Sequence, residues 1–309
     1  MATQETPLQN HPTRGILYLC LGVLVFSLQD AIIKQVSGAY ALTEVVCIRS
    51  LVGLPILGFL MRKEADWFRL LRVHWMPLSV RGLIMLGAYT AYYMAFPALP
   101  LADAVALYFT VPLFVTALAS PVLGEHIGWK VWAAVTLGFG GVLVMLQPGS
   151  GLFEPAALLS LLSAALYGSA MLMARKFGSQ LPTAVMAFYQ NGFFLVGSAL
   201  GAALLSMAGL EHATHPSLVF LVRPWVLPTL NDALLIGVCG VVAAVGTLFL
   251  TSAYRVAQSS TVTPFEYTGI LWAPLWGFLF FAEVPKFTTF VGALIIGGAG
   301  LLAMRLSRK

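Results

Sequence analysis

Asp30, Lys34, Arg49 and Glu266 are ionisable residues set inside otherwise apolar stretches of this chain. At the centre of a membrane helix such a group costs about 2.5–3.5 kcal/mol on insertion scales, so each needs a partner or a purpose. Asp30 and Lys34 stand at i and i+4, on one helix face. Asp30 lies about 24 Å into its stretch, and Arg49 about 12 Å into the next, entered from the opposite side. Their depths differ by about 6 Å, within reach of a guanidinium. Asp30, Lys34 and Arg49 therefore read either as an ion pair tying the first two helices together, or as a gate and a site for a substrate carboxylate or amine. Glu266 sits between Phe265 and Tyr267. A carboxylate in that setting suits proton carriage or amine binding; a neutral, hydrogen-bonded structural role is the alternative.

Aromatic side chains collect at similar depth: Phe26, Tyr89, Tyr92, Tyr93, Phe109, Phe114, Tyr167 and Trp272. A tyrosine there must find a partner for its hydroxyl, so it faces a cavity or another helix rather than lipid. Singly, each reads as packing. As a group they outline a partly apolar pocket for a planar or amphipathic substrate with polar ends. The expected substrate contacts are Phe26, Asp30, Tyr89, Tyr92, Tyr93, Tyr108, Tyr167, Glu266, Tyr267 and Trp272, with Gln190 and Asn191 adding amides. Glu125 and Glu283 close their helices at the interface, as caps or as partners of a basic residue. Asp103 falls in a first helical turn, where it complements the dipole. The chain carries no Gly-rich phosphate loop, no Cys pair at metal spacing and no Gly-x-Ser-x-Gly. His212 and His215 lie in a proline-bearing loop ill suited to a metal. No cofactor, metal or enzymatic activity is expected.

The elements that must position these residues are membrane helices. Hydrophobic residues make up 59% of the chain and charged ones 9%, which no soluble globular domain carries. A span needs about 20 apolar residues to cross a core of about 30 Å. Such segments fall near 14–36, 41–61, 76–97, 101–123, 129–147, 155–177, 182–209, 232–255, 260–281 and 286–305. The net charge of +5 is a topology signal rather than a nucleic-acid footprint. With the N-terminus cytoplasmic, Arg14, Arg62, Lys63, Arg69, Arg72, Arg81, Lys130, Arg175, Lys176, Arg255, Arg305, Arg308 and Lys309 fall on the inner side. Lys34, Arg223 and Lys286 fall outside. Both termini are thus expected in the cytoplasm, with the chain multi-pass in the inner (plasma) membrane. Cys20, Cys47 and Cys239 read as small buried hydrophobes, and the first dozen residues as a polar tail without the features of a signal peptide.

The chain repeats. Phe26, Lys34 and Arg49 map onto Tyr167, Arg175 and Gln190 at an offset of 141, and Glu125 maps onto Glu283 at 158. Residues 14–147 and 153–305 form two five-span halves, joined by a hinge at 147–151. An odd number of spans turns the second half over, the arrangement by which many secondary transporters expose one site to each side in turn. Glycines in the fifth span (Gly138, Gly140, Gly141) and tenth (Gly292, Gly297, Gly298, Gly300) read as helix-packing positions.

The doubled pattern, with Gly124-Glu125 and Ala282-Glu283 each followed by a glycine-rich span, resembles the drug/metabolite transporter superfamily, and within it the ten-span family built from two EamA domains. Asp30-Ala-Ile-Ile-Lys34, Arg49 and Tyr267-Thr-Gly-Ile-Leu-Trp-Ala273 resemble the branch that holds S-adenosylmethionine and riboflavin carriers; amino-acid exporters are more distant. The family pattern places a proline about thirteen residues before each glutamate; Pro112 obeys it, whereas the second copy has Ile270, with Pro274 four residues later. The resemblance implies an all-α integral membrane fold of ten transmembrane helices in two inverted five-helix repeats, with a site between spans one, three, four, six, eight and nine. It implies a secondary transporter of a small amphipathic metabolite (an amino acid, an S-adenosylmethionine-like or a flavin-like compound). Proton coupling through Glu266 is the expected mode, with uncoupled or exchange transport open. A multidrug or lipophilic-cation exporter, and a membrane-embedded lipid-modifying enzyme, are the competing readings. The expected partners are the small-molecule substrate and membrane lipids, not nucleic acid; a monomer and a homodimer both fit.

Overall fold

Apolar segments surrounded by lipid must satisfy their backbone amides from within, and here they do so by coiling. The computed structural model describes residues 12–64, 68–69, 72, 74–111, 113–115, 117–118, 128–147, 154–177, 181–209, 213–256 and 263–306, and among these it contains helices and no strand. Pro112, Glu125, His212, residues 148–151 of the hinge, and the side chains of Arg175 and Glu266 lie outside the described residues.

The helices are α1 (Pro12–Val36), α2 (Leu42–Met61), α3 (Trp75–Ala95), α4 (Leu101–Tyr108), α5 (Trp129–Leu146), α6 (Ala157–Phe177), α7 (Thr183–Met207), α8 (Pro216–Val222), α9 (Leu230–Val256), α10 (Gly269–Phe281) and α11 (Phe287–Leu306). A 3-10 turn, Thr263–Thr268, leads into α10. By length and composition α1, α2, α5 and α7 can each cross a membrane; shorter apolar segments lie within α6 (Ala157–Met173), α9 (Leu230–Gly246) and α11 (Phe287–Ala303) and make up α10 (Gly269–Phe281). The distribution of side chains is that of a multi-pass membrane protein. Leu51, Phe59, Leu137, Leu204 and Leu294 point outward, while Gln29, Glu44, Arg49 and Arg81 are buried.

Two expected continuous spans are interrupted. After α4 the chain turns at Phe109 and Thr110, where Thr110 N and Leu113 N bond three residues back and Thr110 Oγ1 donates to Leu107 O at 2.7 Å. Pro112 follows in the sequence, and a proline has no N–H with which to continue a helical ladder. The span expected at 260–281 instead joins a tighter 3-10 turn to α10. A third difference lies in the loop expected between 210 and 232, which contains α8. His215 caps it, accepting from Ser217 N through Nδ1, and its Nε2 sits 2.9 Å from Glu154 Oε1.

Helices pair across the two halves of the sequence: α1 along α9, α3 along α6, α2 along α7, α5 along α11 and α4 against α10. In addition α2 meets α9 and α3 meets α7. Close approach needs small residues. A Cβ on Gly141 would sit 2.9 Å from Gly292 O, and one on Gly292 would sit 2.8 Å from Gly141 O, so α5 and α11 touch backbone to backbone. At α2–α9, a Cβ on Gly240 would run into the Arg49 carbonyl oxygen. Neither Gly140 nor Gly298 has a neighbour within 4 Å of its would-be Cβ, so packing explains some of these glycines and not others.

Candidate functional site

Tyr89, Tyr92, Tyr93 and Phe96 recur at i, i+3, i+4 and i+7, a spacing that puts all four rings on one face of α3. That face meets α1 at Asp30. The Tyr93 hydroxyl donates to Asp30 Oδ1 at 2.8 Å and the Tyr92 hydroxyl to Oδ2 at 3.0 Å. Gln29 Nε2 donates to the Tyr93 oxygen at 2.9 Å. A hydrogen bond to a charged group contributes about 1.5–3 kcal/mol, so this pair of tyrosines meets much of the cost of a carboxylate at that depth.

Arg49, only 5% exposed, lies on α2 between two rings. Its Cζ is 4.5 Å from the Tyr89 centroid and 5.6 Å from that of Phe194. Cation–π contacts stabilise such a guanidinium by about 2 kcal/mol each when desolvated. They engage its face and leave the edge: Nε and Nη1 are buried without a hydrogen-bond partner among the described residues. The same holds for Gln29 Oε1.

The rings form one connected run. Phe194 to Tyr89 is 4.9 Å between centroids, Tyr89 to Tyr93 4.3 Å, Tyr93 to Tyr92 5.0 Å, Tyr92 to Tyr108 4.6 Å and Tyr108 to Tyr167 5.6 Å. Asp30, Arg49, Tyr89, Tyr92, Tyr93, Tyr108 and Tyr167 are thereby brought into a single polar and aromatic cluster. Three further candidates make other contacts. The Phe26 ring lies over Gly246 of α9. Trp272 stacks on Trp276 at 6.2 Å, and Trp276 Nε1 donates to Ser27 Oγ at 2.9 Å. The Tyr267 ring is 5.7 Å from that of Phe109.

Lys34 takes a different partner from the one its spacing to Asp30 suggests. Its Nζ is 2.5 Å from Glu283 Oε1 and donates to Leu99 O at 2.7 Å. Glu283 Oε2 in turn accepts from Leu101 N at 2.8 Å, capping α4. Nearby, Thr289 Oγ1 donates to Asp103 Oδ1 at 2.5 Å. The carboxyl end of α1, the start of α4, the end of α10 and the start of α11 are bolted together at one end of the bundle. Glu283 is aimed by Ala282, which adopts φ 53°, a left-handed conformation normally left to glycine.

Sequence reasoning missed three members of this arrangement. Phe194 is one of a Phe pair in an apolar helix, and nothing local marks it out. Gln29, 3% exposed, could have been flagged as a second polar residue beside Asp30 in an apolar run. Arg81 reads as an inner-side charge, yet it is buried within α3 and its Nη1 donates to Gln190 Oε1 at 3.2 Å; six residues into the helix is about 9 Å from its end, a depth that was countable. Phe194 and Arg49 also bring in α7 and α2, which the resemblance leaves out of the site. A cavity of about 190 Å³, lined by Thr43, Arg223, Trp225 and small residues of α7, lies away from the cluster, beside α8.

Residues 13–147 match the EamA-like transporter family. The chain is similar to the pseudopaline exporter CntI of Pseudomonas aeruginosa, 29% identical over 91% of this chain and 93% of that one. It is 29% identical to the riboflavin transporter of Rhizobium johnstonii over 97% and 95% of the two chains. It is 25% identical to the S-adenosylmethionine uptake transporter of Rickettsia prowazekii over 96% and 94%. A solved crystal structure at 19% identity superposes with a TM-score of 0.60, covering 96% of this chain and 98% of the other, a likeness of fold.

Proposed function

From a chain that carries an EamA-like transporter domain and so falls within the drug/metabolite transporter superfamily, we propose a secondary transporter that moves a small amphipathic metabolite across the inner membrane by alternating access. The observation that carries this reading is the buried cluster of Asp30, Arg49 and the α3 tyrosines. Polar groups at such depth are expensive unless they serve a path for solutes. The relatives named as metabolite transporters span nearly the full length of this chain, which favours transport over lipid-modifying chemistry.

Two inverted repeats, 14–147 and 153–305, provide the two access states. Helix pairing supports this. Exchanging the halves turns the α1–α9 pair into α6–α3 and the α2–α9 pair into α7–α3, both of which occur; α2–α7, α4–α10 and α5–α11 map onto themselves. Some repeat mates also touch, as residues close to a twofold axis do. Asn191 Nδ2 donates to Ser50 O at 3.2 Å, at the 141 offset, and Phe109 meets Tyr267 at the 158 offset. Both members of the second pair stand where their helices are interrupted, and paired breaks of this kind accompany midplane binding sites. The termini are cytoplasmic on the strength of the positive-inside distribution. Glu266 is assigned proton coupling.

Purified protein in liposomes tests the function: uptake and efflux of labelled amino acids, S-adenosylmethionine and riboflavin, against empty liposomes. Saturable flux of at least one is expected. Flux of none, with lipid turnover instead, would replace the transporter by a membrane enzyme.

A further inference from the structure

The hydrogen-bonding groups left over around Asp30 and Arg49 are complementary to one kind of ligand. On the α2 side, two Arg49 nitrogens, Nε and Nη1, and the Tyr89 hydroxyl are buried with no hydrogen-bond partner among the described residues. On the α1 side, Gln29 Oε1 is a buried acceptor with no donor among them. Asp30 has received one hydrogen bond on each oxygen, and a carboxylate has about four acceptor positions, so it can take more donors. Arg49 lies over the Tyr89 ring, Asp30 accepts from Tyr93, and those two rings are 4.3 Å apart. Arg49 is close enough to Asp30 to act on it electrostatically.

Neither side can easily swing away to cure its own deficit. The Arg49 backbone is clamped against Gly240 of α9, and the next residue's carbonyl accepts from Asn191. Asp30 is held by both tyrosine hydroxyls.

Resting on the reading of this cluster as the substrate site, we propose that it binds the zwitterionic head group of an amino-acid-type substrate. Arg49 donates to the carboxylate from an unpartnered guanidinium nitrogen; Asp30 and Gln29 Oε1 accept from the ammonium; the substrate's remaining apolar or planar portion lies against the Tyr89 and Tyr93 rings. Charge agrees as well. Asp30 and Arg49 sum to zero and so does a zwitterion, so loading the site leaves no net charge to be carried through the low-dielectric part of the membrane. A flavin could accept from Arg49 through its ring carbonyls, but it brings no ammonium to Asp30 and Gln29 Oε1.

The test compares matched probes on the purified protein by thermal shift and equilibrium binding. S-adenosylhomocysteine and the protein amino acids are set against 5′-methylthioadenosine, the decarboxylated amines and riboflavin. At least one amino-acid-headed probe is expected to bind more tightly than its headless partner by about tenfold or more, because a site built to bond a polar group rejects an analogue lacking it. In Arg49→Gln, and in Arg49→Lys, which keeps the charge but not the guanidinium, that ratio falls toward one. A purely structural Arg49 would lower the melting temperature and leave the ratio alone, and that outcome overturns the proposal. So does equal binding of headed and headless probes, or binding of riboflavin alone, or no binding of any headed probe. Saturable liposome flux of a headless compound under the same conditions would keep the transporter while discarding this site assignment.

Discussion

Lys34 and Glu283, 249 residues apart in sequence, form an ion pair at 2.5 Å that joins the first half of the chain to the second. Each partner also bonds main chain near the start of α4, Lys34 through Leu99 O and Glu283 through Leu101 N. The pair therefore links three elements rather than two. Both side chains are largely shielded, at 10% and 24% exposure.

Removing either partner leaves the other charge poorly compensated. Lys34→Met and Glu283→Gln are each expected to destabilise the protein by about 1–3 kcal/mol. In a double-mutant cycle read by thermal denaturation in detergent, the two losses should be strongly non-additive. Independent, additive losses would mean that the pair contributes no coupling.

Asp30→Asn keeps the shape and replaces one acceptor by an amide donor, so one tyrosine hydroxyl loses its acceptor. Tyr93→Phe should cost more than Tyr92→Phe, because the Tyr93 oxygen also accepts from Gln29. Each loss is expected at about 1–3 kcal/mol. Chemical denaturation of the three variants, beside their transport rates, checks the order.

Ala282→Gly should stabilise the fold by about 0.5–1 kcal/mol, by relieving a left-handed alanine. At the 158 offset that carries Glu125 onto Glu283, the matching position is already a glycine, Gly124. A melting temperature that stays level or falls would show that the alanine methyl packs favourably enough to offset its conformation.

Gly141→Ala and Gly140→Ala, neighbours in sequence, should move stability in opposite directions. The first forces α5 away from α11; the second meets open space and gains up to about 1 kcal/mol of helix propensity. Parallel melts of the two variants decide it.

Glu266→Gln removes a titrating group while keeping its size and hydrogen bonding. If Glu266 carries the coupling proton, a pH gradient drives flux in wild-type liposomes and not in the variant, with binding largely retained. Identical gradient responses would make Glu266 structural.

Hydropathy and the cost of a charge in lipid are properties that sequence alone expresses. They were enough to mark membrane helices, to single out Asp30 and Arg49 as residues that need partners, and to anticipate that Tyr89, Tyr92 and Tyr93 would pack against other rings. Each rests on a local quantity: the polarity of a segment, or the spacing of side chains on one helix. Partnership is not local. Whether Lys34 pairs with Asp30 on its own helix or with Glu283 far along the chain depends on how α1 and α10 are rotated and shifted against each other. Where those two helices approach, a Cβ on Gly269 of α10 would sit 3.4 Å from Val23 of α1, so the contact depends on a small residue there. Packing likewise placed Phe194 over Arg49, buried Arg81 beside Gln190, and broke the chain at Phe109 against Tyr267. Periodicity shows which side of a helix is polar; only tertiary structure decides which polar side it meets.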